Sequence, residues 1–285
     1  MSPEQTHQTP PPVPTDFDHT YERFTRRRFY REINRQTIQL APQALHILDL
    51  GSGKGAMTEL LLEEDKVLAG GTILEVDPDE SAIASTRRKF AFRPEVTFAV
   101  GKAEEIPAED GKFDVVVFAN SIHLTDVEEA FEETARVLRP DGVIVISCGY
   151  INTPRNRARV WGELAVLGKQ KAQALGYSPG KPLNYFKHTQ EEYVGIARAK
   201  GITDVAAETV AVEMNEGDVD AICDYADFAG GTLPGVPVEV ARKVLRESAH
   251  EMFVKLKKAG KLESFPRDWM QLVGKRQANK DIFVS

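Results

Sequence analysis

The run Asp49-Leu50-Gly51-Ser52-Gly53-Lys54-Gly55, followed farther along by Asp77, has the residue types and spacing from which chemistry can be read. Glycines at alternate positions let a turn tighten and let a ligand approach the main chain. A helix opening directly behind them presents N–H groups that no intrahelical carbonyl satisfies. An acidic residue at the tip of the following strand can accept the hydroxyls of a ribose. Glu75 sits one pleat away on the same side of that strand. Asp77 is preferred because it occupies the tip, with Pro78 beside it, while Asp79 can cap the next helix. The glycines alone also satisfy the dinucleotide pattern, with Ala56 in its last place. They do not form a phosphate-cradling P-loop, which requires Gly-Lys-Ser/Thr.

A second set of residues could act on a substrate. His123, in Ser-Ile-His-Leu-Thr-Asp, falls just past a fourth apolar strand and can accept a proton near neutral pH; the alternative is a histidine that only packs. Trp161, Tyr185 and His188 lie in a stretch rich in aromatics, glycines and prolines, suited to the wall of a small-molecule pocket. Arg23, Arg26, Arg27, Arg28, Arg31 and Arg35 crowd one segment; they can read a carboxylate or phosphate, although a solvated helix face is the simpler account. Cys148, Cys223 and six dispersed histidines show no metal-ligand spacing, so no metal is expected.

These residues need elements to position them. Apolar strands are predicted at Leu45–Leu50, Gly71–Asp77, Val96–Ala103, Phe113–Ser121 and Val143–Ser147. Helical stretches separate most of them, and such alternation implies a parallel sheet covered on both faces. A helix is predicted from His19 to about Leu40. Beyond Gly149 the rhythm changes to a cap of loop and helix over about 151–191. A helix and a strand around Val205–Val212 follow, then helices at Asp218–Gly231 and Val238–Lys258, and a closing strand at Asp268–Lys275. The proline-rich residues 1–18 read as a disordered tail.

With 285 residues and 42% hydrophobic content the chain can bury a sizeable core. Its formal net charge of −7 gives no general case for nucleic-acid binding. No apolar run is long enough to cross a bilayer, and the N-terminus lacks the apolar stretch of a secretory signal. A cytoplasmic location is expected, with both thiols reduced.

In order and spacing, HILDLGSGKG, ILEVDPDES, VGKAEEIP, FDVVVFANSIHLTD and ARVLRPDGVIVIS resemble the class I S-adenosylmethionine-dependent methyltransferases, over about Leu45 to Gly149. The likeness is greatest to the small-molecule branch, including ubiquinone-type and trans-aconitate-type enzymes. It implies an α/β, Rossmann-like, seven-stranded, mostly parallel sheet, its last strand antiparallel, with helices on both faces and a helical cap. It further implies one methyltransferase domain over 19–285, with cap insertions at about 151–191 and 214–266. S-adenosyl-L-methionine would be the cofactor and a small molecule the methyl acceptor. Asp49, Gly51, Ser52, Gly53 and Gly55 would hold the methionine end, Asp77 and Pro78 the ribose. Ala103 and Glu104 would lie by the adenine, Asn120 at the cofactor's edge, with Tyr21 and Tyr30 closing over it. Lys102 departs from the acidic residue that members often carry there. A nicotinamide-dependent oxidoreductase, a non-catalytic binding subunit, or a cofactor site serving another reaction are the competing readings.

Overall fold

A computed structural model of the chain describes residues 17–156, 159–185, 187–260 and 264–278. The expected tail falls outside these residues up to position 16; residues 17 and 18 open the first helix.

The N-terminal helical segment is two helices, α1 (Phe17–Thr25) and α2 (Arg28–Gln39), not one. The chain turns at Arg27, which is extended, and the turn brings the Phe24 ring to 4.6 Å from that of Tyr30. The alternating core follows: β1 (Ala44–Leu50), α3 (Ala56–Glu63), β2 (Val67–Asp77), α4 (Glu80–Lys89), β3 (Val96–Val100), β4 (Phe113–Ala119), a 3-10 turn at Ile122–Leu124, α5 (Val127–Val137) and β5 (Leu138–Cys148). Within β5, Leu138 pairs with Phe113 and Val143 with Val115, so the Arg-Pro-Asp-Gly turn bulges out of the ladder. The remainder is α6 (Arg159–Ala174), α7 (Gln190–Ala199), β6 (Ile202–Asn215), α8 (Glu216–Asp224), α9 (Ala226–Thr232), α10 (Val238–Lys258) and β7 (Ser264–Arg276).

The strands form one seven-stranded sheet in the order β3-β2-β1-β4-β5-β7-β6, with β7 antiparallel to both neighbours. Order reverses between β1 and β4, the crevice where open α/β sheets take their ligands. The period-two alternation of strands sorts their side chains onto two faces. Leu48, Leu50, Val116, Phe118, Ile144 and Ile146 meet α5 and α7 on one face. Ile47, Val115, Val117 and Val145 meet α2 and α3 on the other. Every residue of β4 is buried, as a strand covered on both faces requires.

A second apolar cluster joins α1, α2, α6, α8, α9 and α10 to β6 and β7, burying Phe29, Leu233, Leu245, Phe253 and Trp269. The arginines of α1 and α2 staple this layer. Arg23 pairs with Asp220 and Asp224, Arg27 with Asp218, Arg31 with Glu63 and Arg35 with Glu64. The solvated face expected there is thus largely an ion-paired seam to α3 and α8. The helix predicted over Asp218–Gly231 breaks at Tyr225, which is extended. Its hydroxyl donates locally to Asp227 at 2.6 Å, and its ring stacks at 5.8 Å on Phe24, a tertiary contact that overrides local helical preference.

Candidate functional site

The glycine turn lies between the tip of β1 and the start of α3. Gly51, Gly53 and Gly55 have φ of 66°, 54° and 69°, the left-handed region that residues bearing a Cβ enter only with strain. Space demands glycine as well: a Cβ on Gly51 would stand 2.2 Å from Ser121 Oγ, and one on Gly53 2.8 Å from the Tyr21 hydroxyl. The turn is pinned to β2, with Gly51 N–H and Ser52 N–H donating to the Val76 carbonyl at 2.7 and 3.1 Å. Gly53 N–H donates to Asp77 Oδ2 at 2.8 Å, and Asp79 N–H to Oδ1 at 2.9 Å. Asp77 is therefore held at the strand tip with one backbone donor on each oxygen. Burial raises its pKa. Pro78 is exposed beside it, and Asp79 caps α4 through Ser81 N–H, as expected. Ser52 Oγ is buried in the turn with no hydrogen-bond partner. The left-handed glycines, that orphan hydroxyl and the strand-tip carboxylate are what a cradle for a nucleoside ligand with a polar tail requires.

Two carboxyls lie beneath the turn. Asp49 is 1% exposed and accepts from Thr58 N–H at 3.1 Å and Thr58 Oγ at 2.8 Å. It anchors the start of α3 and is not open to a ligand; burial pushes its carboxyl up to about 7. Glu75, paired in register with Asp49, is 0% exposed. The nearby hydroxyls of Thr58 and Thr86 donate to Asp49 and to the Ile83 carbonyl, and both Glu75 oxygens are left without a hydrogen bond. Burial, then the charge of Asp49, push its carboxyl up to about 8.

Ala103 is buried in the core behind the third strand. The Glu104 side chain accepts from Asp126 N–H at 2.8 Å at the start of α5, which draws it away from the adenine role expected of it. Asn120 has φ 59° at the tip of β4, and its amide organises the far side. It donates to Tyr30 Oη at 3.3 Å and Asn34 Oδ1 at 3.1 Å, and accepts from Trp269 Nε1 at 2.6 Å. Tyr21 thus stands over Gly53 and Tyr30 beside Asn120. Burial keeps the Tyr21 hydroxyl well above its ordinary pKa and pushes Tyr30 to about 12, so both are neutral donors.

His123 is 6% exposed in the 3-10 turn, stacked at 4.1 Å on Tyr150 and edge-on to Tyr185 at 5.7 Å. Its Nδ1 lies 4.0 Å from Cys148 Sγ. Burial, with Arg267 and Lys187 adding positive potential, lowers its pKa to about 3. The ring is neutral near pH 7 and poor at retaining a proton, which argues against its role as a general base. Trp161 and Tyr185 do meet this group, Trp161 under the Arg267 guanidinium and Tyr185 against Tyr150. His188 does not; it faces Glu192 and Tyr193 of α7.

Sequence reasoning did not reach Asn34, Tyr150, Tyr225, Asp227, Arg267 and Trp269. One signal was available: an antiparallel last strand must begin where the parallel strands end, which brings Arg267 and Trp269 to the ligand edge. A cavity of about 760 Å³ lies elsewhere, between α8 and α10. Its arginines are paired with Asp220, Asp224 and Glu239, and it is remote from the glycine turn. Among the described residues no group of three or more His, Cys, Asp or Glu could hold a metal ion.

Residues 48–146 match the family described as "Methyltransferase domain". An uncharacterized methyltransferase of Mycobacterium tuberculosis is 38% identical over 103 residues, covering 36% of this chain and 39% of the relative. A second protein of that organism, named a probable S-adenosylmethionine-dependent methyltransferase, is 31% identical over 177 residues, covering 59% and 53%. The chain thus spans about half or less of the length of the curated relatives it matches. Among solved structures, the YcgJ protein from Bacillus subtilis superimposes with a TM-score of 0.57 at 17% identity, covering 87% of this chain and 99% of its own. The [4+2]-cyclase SpnF gives a TM-score of 0.55 at 13% identity, covering 88% and 82%. Likeness at those identities establishes the fold alone. The family match makes residues 48–146 a methyltransferase domain, set in a sheet that continues to Arg276.

Proposed function

We propose that the chain binds S-adenosylmethionine across the tips of β1 and β2 and transfers its methyl group to a small-molecule acceptor. The observation that carries this is the bond from Gly53 N–H to Asp77, which joins glycine turn and acidic strand tip into one unit at the point of strand reversal. The cofactor supplies a methyl carbon already activated by a sulfonium. The glycine turn takes the methionine end through its backbone. Each Asp77 oxygen carries one backbone donor and can accept a second bond, enough for two ribose hydroxyls. Ala103 and the Glu104 backbone flank the base. Tyr21, Tyr30 and the rings of the helical layer exclude water and align the acceptor.

In this reading the helices over 151–191 and 214–266 are the cap of one domain running from α1 to β7. The acceptor sits under that cap, beyond the tips of β4 and β5. Nucleic acid is not a partner, given the net charge of −7. No described helix is long and apolar enough to cross a membrane, and two free buried thiols suit a cytoplasmic setting.

Calorimetric titration with S-adenosylmethionine, S-adenosylhomocysteine and NAD tests the reading. Binding of the first two without NAD is expected; binding of NAD alone would overturn it. Because the [4+2]-cyclase SpnF shares this fold, candidate acceptors are screened by product mass, where methyl transfer adds one methylene.

A further inference from the structure

We infer that Glu75 makes the glycine turn discriminate by charge: it gives up its proton when a sulfonium ligand seats on the turn and keeps it under the neutral thioether. This rests on the methyl-transfer reading, because the cofactor before and after transfer differs in that one charge.

The backbone places Glu75 beneath the turn. β2 pairs with β1 so that Glu75 lies opposite Asp49, just before the glycines begin. Its Oε1 stands 2.7 Å from the point a Cβ on Gly55 would occupy, where α3 starts. The Phe90 ring is 2.5 Å from the same point. Glycine at 55 therefore lets the carboxyl meet the turn with no side chain between them.

The protein gives this carboxyl little means of holding a charge. Glu75 is 0% exposed, and neither of its oxygens has a hydrogen bond. The charged groups acting on it are Asp49 from β1 and Lys89 from α4. Lys89 is engaged at the rim, its Nζ donating to the Gly55 carbonyl at 3.3 Å and to Glu59 at 3.1 Å. Thr58 of α3 and Thr86 of α4 direct their hydroxyls to Asp49 and Ile83, and β3 sets Phe98 in register with Glu75. Asp77, two residues on along β2, is held by the Gly53 and Asp79 N–H groups. Asp49 accepts two bonds from Thr58 and Glu75 accepts none, so of two buried carboxyls abreast it is Glu75 that keeps a proton. Its pKa of about 8, raised by burial and then by Asp49, agrees.

A cation seated on the turn changes that balance, because a nearby opposite charge favours the ionised carboxyl. Linkage then makes such a ligand bind more tightly as pH rises and the proton leaves more readily. In methyl transfer the methyl carbon departs without the electron pair of its bond to sulfur. That pair stays on sulfur, and the positive charge is gone. Glu75 takes a proton back from water, so the charge that favours cofactor entry does not retain the product.

Calorimetry in phosphate and in Tris, whose ionisation enthalpies differ, counts the protons released on binding. Wild type should release about half a proton per S-adenosylmethionine at pH 7.5. Its preference for S-adenosylmethionine over S-adenosylhomocysteine should rise about tenfold from pH 6 to 9, the equivalent of a one-unit pKa shift. Glu75→Gln mimics the protonated acid and reports any titration of the ligand itself, so the difference between the two proteins belongs to Glu75. The variant should bind both ligands within about threefold of wild type at pH 6 and lose most of the rise in preference. Should it misfold, carboxyl 13C NMR of wild type reads the same proton: the Glu75 titration must move to lower pH with S-adenosylmethionine and stay in place with S-adenosylhomocysteine. Equal proton release from the two proteins, equal Glu75-dependent release with both ligands, or an unmoved Glu75 titration would overturn the inference and leave the methyl-transfer reading standing. A wild type that binds neither ligand would overturn both.

Discussion

The two halves of the proposed binding edge are built by opposite means. On the cofactor side, a strand, a turn and the next strand tip make the site, and its key bond spans 24 positions, from Gly53 to Asp77. On the acceptor side, the bonds that set the geometry span 118 positions, from Arg267 to Gly149, and 149, from Trp269 to Asn120. The first half works through backbone, which demands left-handed φ and close approach and so leaves glycines in the sequence. The second works through side chains of ordinary core type, which leave no local mark. Local, backbone-made sites are readable; sites assembled from distant side chains are not.

The sharpest way to break this contrast is at Asp77, the one side chain on which the backbone-made half depends. Asp77→Ala removes the ribose acceptors and releases Gly53 N–H and Asp79 N–H together. We expect cofactor affinity to fall about 100-fold, roughly 3 kcal/mol, by calorimetry. Affinity within threefold of wild type would mean that the strand tip is only a turn.

Glu75 sharpens the contrast by testing the foundation beneath the glycine turn. Its folded pKa of about 8 lies above the ordinary glutamate value of about 4.3. The folded state therefore holds a proton that the unfolded state releases, and the associated stability is full below about pH 4 and is lost as pH rises toward 8. Asp49, at about 7, acts in the same direction. Over this window each group contributes a slope of up to about 1.4 kcal/mol per pH unit. The melting temperature should fall by several degrees from pH 5.5 to 8, and Glu75→Gln should flatten that fall and melt higher than wild type at pH 8. Identical profiles for the two proteins would show that Glu75 finds a partner in solution.

A smaller effect is expected at Gly53. In Gly53→Ala the left-handed φ costs roughly 1–2 kcal/mol, and the new Cβ presses on the Tyr21 hydroxyl. Melting temperature should drop a few degrees and cofactor affinity about tenfold. If both were unchanged, α1 would not close over the turn, and the two halves of the edge would be less connected than Tyr21 makes them.

The contrast also explains what sequence conveyed. Alternating apolar strands and helices gave the parallel sheet, and residue spacing the glycine turn, because periodicity and φ demands are local. The breaks at Arg27 and Tyr225 were missed because the contacts of Phe24, Tyr30 and Tyr225 across elements decide them. The Asp49 and Glu104 side chains meet Thr58 and Asp126; a carboxylate beside a turn reads alike in sequence whether it meets a ligand or a backbone N–H. Arg267 was passed over because one arginine opening a strand is commonplace until topology puts it among three rings.

His123 carries the smallest expected effect. A histidine serving as base with an ordinary pKa would put an acid limb near 6.5 in the pH profile of turnover. Burial and the charge of Arg267 set this ring at about 3, so turnover should show no limb from His123 between pH 5.5 and 8. His123→Gln, which keeps a polar side chain in the turn, should lower the rate by no more than about tenfold and leave the profile's shape unchanged. A limb near 6.5 in wild type that disappears in the variant would restore His123 as the base. It would also mean that bound acceptor relieves the burial that chiefly lowers this pKa, and not only the smaller effects of Arg267 and Lys187.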